Sequence, residues 1–370
     1  MTKKHALWFV LRPTIGLQVS IARSSNVTAG VLVCLGIISC GKANTPNTEG
    51  TGGDRSGTGS PNMPGRPDPY LSSEYTSVTR TFGALTVREG VYESEASTLP
   101  WASYYFASSD PVLFQDAQSS ALAKYDRYVL ATRGSASHAR DKEEVLYNHS
   151  GRFAEPWQGL CNAWSYAAIS YPEPKSKVVK GISFSTGELK GLLIKTLETA
   201  DPLVHFGIKF REAPGANFDS MFPDQFHRFL QVQLFEQRHA FVMDKSPGLE
   251  VWNYPAYYAK TDIRVSPTDP SRMNVRTLVL AAEILTASQK DWSEVDHGHL
   301  FSAFDYTYDL VGSRKADGSF DVFFGEWTGQ ARYAHPDYVI PMPQQLLRKS
   351  LNSEIDTQVV DEILSSRADF

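Results

Sequence analysis

Residues 41–69, GKANTPNTEGTGGDRSGTGSPNMPGRPDP, set the strongest limit on what this chain can fold into. Gly, Ser, Thr, Asn and Pro dominate the tract. It carries too little apolar surface to offset the entropy lost on ordering it, so it reads as a flexible tether. Folded structure is therefore expected from about Tyr70. No second tract of this kind, and no internal repeat, breaks the remainder. A chain of 370 residues with 42% hydrophobic side chains has material for one large domain or two ordinary ones.

Ahead of the tether, MTKKHALWFVLRPTIGLQVSIARSSN carries Lys3, Lys4, Arg12 and Arg23 and no acidic residue. The apolar run that follows, VTAGVLVCLGIISC (27–40), is short for a bilayer span but has the length of a signal-peptide core. Its end, Ile37-Ile38-Ser39-Cys40, resembles the lipobox of bacterial lipoproteins. That resemblance implies a signal peptide over 1–39, a lipidated Cys40 at the head of the tether (40–69), and a membrane-anchored protein. Gly41 after the cysteine fits outer-membrane sorting by the same analogy. The expected location is thus the cell envelope, with an ordinary secretory signal or an uncleaved anchor as the alternatives.

The net charge of −5 gives no electrostatic case for a nucleic-acid partner. Cysteine usage is more telling. Cys34 leaves with the signal and Cys40 takes lipid, so Cys161 is the remaining thiol. It has no disulfide partner and cannot build a Cys-rich zinc site. Two readings stay open: an inert buried cysteine, or a nucleophile. Oxygen-rich clusters are too dispersed to indicate a metal, no cofactor is implied, and DHGH (296–299) reads as a solvated loop.

Local patterns suggest helices over 119–135, with Ser119 and Ser120 near the start and Gly134 past the end, and over 161–171, stopped by Pro172 and Pro174. SKVVKGISFS (176–185) alternates like a strand. TGELKGLLIKTLETA (186–200) places Leu189, Leu192, Leu193 and Leu197 on one helical face. Residues 226–246 read as two strands about a tight turn, and 269–285 as an amphipathic helix. Residues 300–327 read as a hairpin turned on Asp317-Gly318, and 346–370 as a polar helical tail. Helices first and antiparallel strands after predict an α+β fold.

Gly159-Leu160-Cys161 marks a loop turning into a helix, where the dipole and the free N–H groups of the first turn favour a thiolate. The base then has two candidates. His239 lies five residues before Asp244 and, on one strand, faces away from it. With a turn over 234–237, His227 and Asp244 face one another across a hairpin, so His227 is favoured as base and Asp244 as its orienting acid.

Several ordered blocks resemble the transglutaminase elicitor family: WQGLCNAWSYAAI with PEP after it, Phe226-His227, KGISFSTGELKGLL, FVMDKSPGLEVWNYPAYYAKT (241–261) and FFGEWTGQARYAHPDYVIPMP. They run over roughly residues 95–343. The resemblance implies a papain-like, transglutaminase-type core over 70–345, with the nucleophile at a helix N-terminus packed on an antiparallel sheet. It implies protein-glutamine γ-glutamyltransferase chemistry, with Cys161 as nucleophile, His227 as base and Asp244 as acid. A glutamine-bearing protein or peptide and a primary amine are the implied partners. Trp157 walls the site or offers an indole N–H. Trp252, Asn253 and Pro255 hold a turn beside Asp244 or touch substrate. A cysteine peptidase, amidase or deamidase on the same residues, and a non-catalytic lipoprotein binding through VWNYP, are the competing functions.

Overall fold

A computed structural model describes residues 76–202, 204–209, 221–342 and 346–368. The expected signal segment, Cys40 and the tether lie outside the described residues. The first half contains α1 (Ser77–Phe82), β1 (Thr86–Val87), β2 (Gly90–Glu95), β3 (Ser103–Tyr104), α2 (Ala121–Arg133) and α3 (Ala139–His149). It continues with α4 (Cys161–Ser170), β4 (Lys177–Val179), β5 (Ile182–Phe184) and α5 (Thr186–Lys195). The second half contains β6 (Phe206–Gly207), α6 (Pro223–Leu230), β7 (Phe241–Asp244), β8 (Asn253–Val265), β9 (Arg272–Ala282), β10 (Ile284–Leu285) and α7 (Glu294–His297). It ends with β11 (Phe301–Arg314), β12 (Phe320–Trp327), β13 (Tyr338–Pro341) and α8 (Thr357–Ser365).

The fold is α+β. Among the described residues, nine strands form one sheet in the order β1-β12-β11-β9-β8-β7-β13-β6, with β2 sharing an edge of β8 with β7. Every pairing in this sheet is antiparallel. Two cores lie on its two faces. One packs Val242, Ala282 and Ile340 against α2, α4, α5 and α8. The other packs Phe241, Met243, Ala281, Val339 and Tyr308 against α1 and α6.

Sequence cues that act locally survive in the structure. The Ser120 side chain caps α2 and Gly134 closes it at φ 68°. Ser185 and Glu188 form a capping box on α5. Gly318, at φ 82°, turns the β11–β12 hairpin.

Four expectations are corrected. Residues 272–282 form a strand, not a helix, because Met273, Val275, Thr277, Val279 and Ala281 are buried in period two and Asn274 and Arg276 point outward. The 176–185 segment is a hairpin, β4–β5, with Lys180 and Gly181 both at positive φ, as a two-residue hairpin turn requires. Residues 223–236 form α6 and a π-helical turn rather than a strand. Pro223 starts this helix, and Phe226, Phe229, Leu230 and Leu234 share a helical face in the second core. The C-terminal helix is confined to Thr357–Ser365 and is not a polar tail. Ile355, Val359, Val360 and Ile363 are buried in the first core. No helix among the described residues is long and apolar enough to cross a membrane.

Candidate active site

Cys161 is the first residue of α4, and the loop before it is held by a neighbouring stretch of chain. Leu160 N–H donates to the Tyr105 carbonyl (2.7 Å), Ser108 N–H to the Gln158 carbonyl (2.8 Å), and Ala107 bridges Gly159. That approach requires glycine at 159. A Cβ there would lie 2.6 Å from the Tyr105 ring and 3.0 Å from the Ala107 Cα. The glycine before the helix thus lets the chain come close enough to set the cysteine at the helix start.

Cys161 is 1% exposed, and the surroundings of its sulfur are polar. The thiol donates to the Val251 carbonyl at 3.6 Å, and Asn253 Nδ2–H points at the sulfur from 4.0 Å. The Tyr338 hydroxyl donates to Asn253 Oδ1 (2.9 Å), which fixes the amide so that its N–H side faces Cys161. Ser165, one turn along α4, bonds the carbonyls of Cys161 (2.9 Å) and Asn253 (3.1 Å), tying helix to strand. Across the ladder Asp244 pairs with Asn253, and its Oδ1 accepts the Trp252 N–H at 3.1 Å. The Trp252 and Tyr105 rings meet edge to face at 5.3 Å beside this cluster. The hydroxyls of Tyr105 and Tyr254 are pushed up, first by burial and further by negative charge that includes Cys161; Tyr254 reaches about 12.

The structure brings Cys161, Asp244, Trp252 and Asn253 together. It does not bring His227 to them. Along β7, Phe241 and Met243 point into the core with α6, whereas Val242 points into the core with Ala163 and Trp164 of α4. Alternation puts Asp244 and its partner Asn253 on the α4 face. His227 projects from α6 on the other face, where its Nδ1 lies 2.8 Å from the Tyr308 hydroxyl of β11. The hairpin that was to oppose it to Asp244 is absent because residues 223–236 are helical. His239 is exposed and precedes β7 at the end remote from Asp244.

Among the remaining expected residues, Trp157 is partly exposed, and among the described residues its indole N–H has no hydrogen-bond partner. Pro255 is a buried strand residue opposite Val242. Glu326 pairs with Arg272 at 2.6 Å, a structural ion pair. In the DHGH segment His299 pairs with Glu294 (2.7 Å), and His297 stacks on Trp292. Sequence reasoning missed Tyr338, and it missed His335 as a chemical group. His335 is buried, stacked on Trp327, and donates from Nδ1 to the Ala331 carbonyl (2.7 Å). Two residues on, Asp337 N–H donates to the Asp244 carbonyl at 3.2 Å.

Burial lowers the pKa of His227 to about 4. A histidine shifted this way takes up its proton in the unfolded chain first, so the stability it confers is complete above pH 6.5 and falls as pH drops from 6.5 to about 4. The expected loss is on the order of 3 kcal/mol. Denaturant titrations at pH 7 and pH 4.5 should show the wild type losing this increment and His227→Gln lacking it. Equal losses in both proteins refute the assignment.

These features define a class: an α+β protein whose lone described cysteine starts a helix packed on the polar end of an antiparallel sheet. The family model for transglutaminase elicitors matches residues 131–273 of this chain. Among solved structures, the crystal structure of the GP42 transglutaminase from Phytophthora sojae is similar at 18% identity and a TM-score of 0.56, over 78% of this chain and 97% of that one. No curated protein sequence matches this chain.

Proposed function

We propose that this protein is a protein-glutamine γ-glutamyltransferase that works through Cys161. The observation that carries the proposal is the thiol at the first position of α4, facing an Asn253 amide that Tyr338 holds in one orientation. The sulfur attacks the carbon of a glutamine carboxamide, and the C–N bond breaks to release ammonia. A primary amine then attacks the thioester, forms the new amide bond and frees the thiol. Asn253 Nδ2 is suited to donate to the oxyanion that forms beside the sulfur. Asp244 is the acidic neighbour of this pair.

The proton carrier is reassigned from His227 to His335. The Ala331 carbonyl can only accept, so Nδ1 carries the ring proton and Nε2 keeps its lone pair, the form a base requires. The Trp327 stack fixes the ring, and the hydrogen bond from Asp337 ties its segment to the Asp244 end of β7. General acid–base catalysis contributes about 100- to 10,000-fold. His335→Gln should therefore lower incorporation of a fluorescent amine into a glutamine-rich protein by at least about 100-fold. His227→Gln should retain it to within a few fold. The reverse ranking discards His335.

A second reading is favoured by the burial of Cys161 and by the Val251 carbonyl that accepts its thiol proton: an inert cysteine in a binding protein. The same assay separates the readings. Cys161-dependent label marks a transferase, ammonia or cleavage without label a hydrolase, and silence the binder. An exported lipoprotein reading of residues 1–69 belongs with this proposal, and detection of a diacylated Cys40 by mass spectrometry tests it.

A further inference from the structure

On the sheet face away from Cys161 lies an open cavity of about 420 Å³, walled by Val87, Tyr92, Phe235 and Ile263 and lined also by His227 and Thr261. Its polar groups are connected in an unusual way. Thr261 Oγ1 is 2.9 Å from Thr277 Oγ1, which is 2.8 Å from the Tyr308 hydroxyl, which is 2.8 Å from His227 Nδ1. Four side chains on four elements thus form one chain of hydrogen bonds whose two ends, His227 and Thr261, line the same cavity. His227 is 3% exposed, and among the described residues its Nε2 has no hydrogen-bond partner, so this nitrogen is the one left for an occupant.

The chain sets the chemistry at its ends. If the hydroxyl protons point toward His227, Nδ1 accepts, Nε2–H becomes a donor to the cavity, and Thr261 presents an acceptor. If they point the other way, Nε2 is the acceptor and Thr261 the donor. Either polarity offers one donor and one acceptor, and reversing it needs only hydroxyl rotation and a change of tautomer. We propose that this cavity is a second ligand site that takes a neutral small molecule bearing a primary carboxamide on an apolar body. A carboxamide supplies its own donor and acceptor on separate atoms, so it matches the two ends whichever way the chain points. The walls accept a hydrophobic group of the size such cavities hold. A charged ligand is disfavoured at the two ends of the hydrogen-bond chain, because Thr261 is a neutral dipole and burial keeps the His227 imidazole neutral at pH 7. Arg88, Arg228 and Glu236 also line the cavity, and these charges are already paired: Arg88 with Asp317 and Arg228 with Glu236.

This site is independent of the proposed reaction, and its test uses the full-length Cys161→Ala protein, so that capture by the thiol cannot imitate binding. Benzamide, benzoate and benzylammonium have similar shapes and different charge. Titrated at millimolar concentrations and followed by NMR of the His227 imidazole, benzamide should give a saturable shift and the two ions none. Thr261→Val keeps the branched strand side chain and removes one end of the chain, so it should weaken benzamide at least tenfold. Benzamide should also raise the melting temperature of the Cys161→Ala protein, and His227→Phe should abolish that rise. Failure of benzamide to saturate, equal binding of benzoate, or binding unaffected by Thr261→Val overturns the proposal.

Discussion

Cys161→Ala should abolish amine incorporation, with a loss of at least about 1,000-fold, as nucleophile deletions do when the covalent step has no substitute. The change removes one sulfur atom from a buried position, so folding stability should fall by only about 1 kcal/mol. Its circular dichroism and denaturation midpoint should then stay close to wild type while labelling stops. Asn253→Ala is the informative companion. Losing one oxyanion donor typically costs 100- to 1,000-fold in kcat, here without removal of the thiol. If Cys161→Ala labels as well as wild type, the nucleophile lies elsewhere and the transferase proposal fails with it. If Asn253→Ala raises KM and leaves kcat intact, Asn253 positions substrate and does not stabilise the oxyanion. The thiol in its resting state donates to the Val251 carbonyl, a group that would repel a thiolate. On the transferase proposal the Val251–Trp252 segment therefore has to move for the sulfur to react, and slow alkylation of the resting protein is part of the same expectation.

What the sequence revealed of this site follows from how local each cue is. Cys161 was legible because a glycine-led turn, a helical run and two prolines lie within a dozen residues, and these act on the nearest turns of chain. Asp244 and the extended character of 241–244 were legible for the same reason. His227 was misplaced because Leu230, Val232 and Leu234 fit alternation as well as a helical face. Pro223 at the helix start and the 226/229/230 spacing decide for the helix, and tertiary packing on β11 and β12 confirms it. Once residue 227 is helical, the facing argument that linked it to Asp244 has no basis. β9 was misread in the opposite direction. Its alternation was present, but small and long apolar residues at 278–282 blurred it until both neighbours, β8 and β11, supplied the ladder. Asn253 as a partner of sulfur was not legible, because the hydroxyl that orients it is 85 residues away on β13. His335 was hidden because the bond that ties its segment to β7 runs from Asp337 back to Asp244, distant in the chain.

The largest effect on stability should come from a residue far from the thiol. Lys195, at the end of α5, is buried, with Nζ 2.8 Å from Glu143 Oε1 of α3 and 2.7 Å from Glu198 Oε1. The second oxygens are also occupied. Glu143 Oε2 accepts from Asn352 Nδ2 (2.8 Å), and Glu198 Oε2 accepts from the Ser350 hydroxyl and the Leu351 N–H, both at 2.9 Å. One cation therefore joins α3, α5 and the segment that leads to α8, which explains how the C-terminal residues come to seal the first core. Burial disfavours the charge on Lys195, yet Glu198 and Glu143 together outweigh it and raise its pKa, so the ion set holds throughout the neutral range. Lys195→Met keeps much of the stem's bulk and leaves two carboxylates buried against each other. Breaking such a set from one side costs about 3–5 kcal/mol. At roughly 2–4 °C per kcal/mol for a domain of this size, melting should fall by about 10 °C. The triple change Lys195→Met, Glu143→Gln, Glu198→Gln removes the stranded charge and should recover most of that loss. A single variant that melts with the wild type, or a triple variant no better than the single, shows that the network does not hold the C-terminal segment in place.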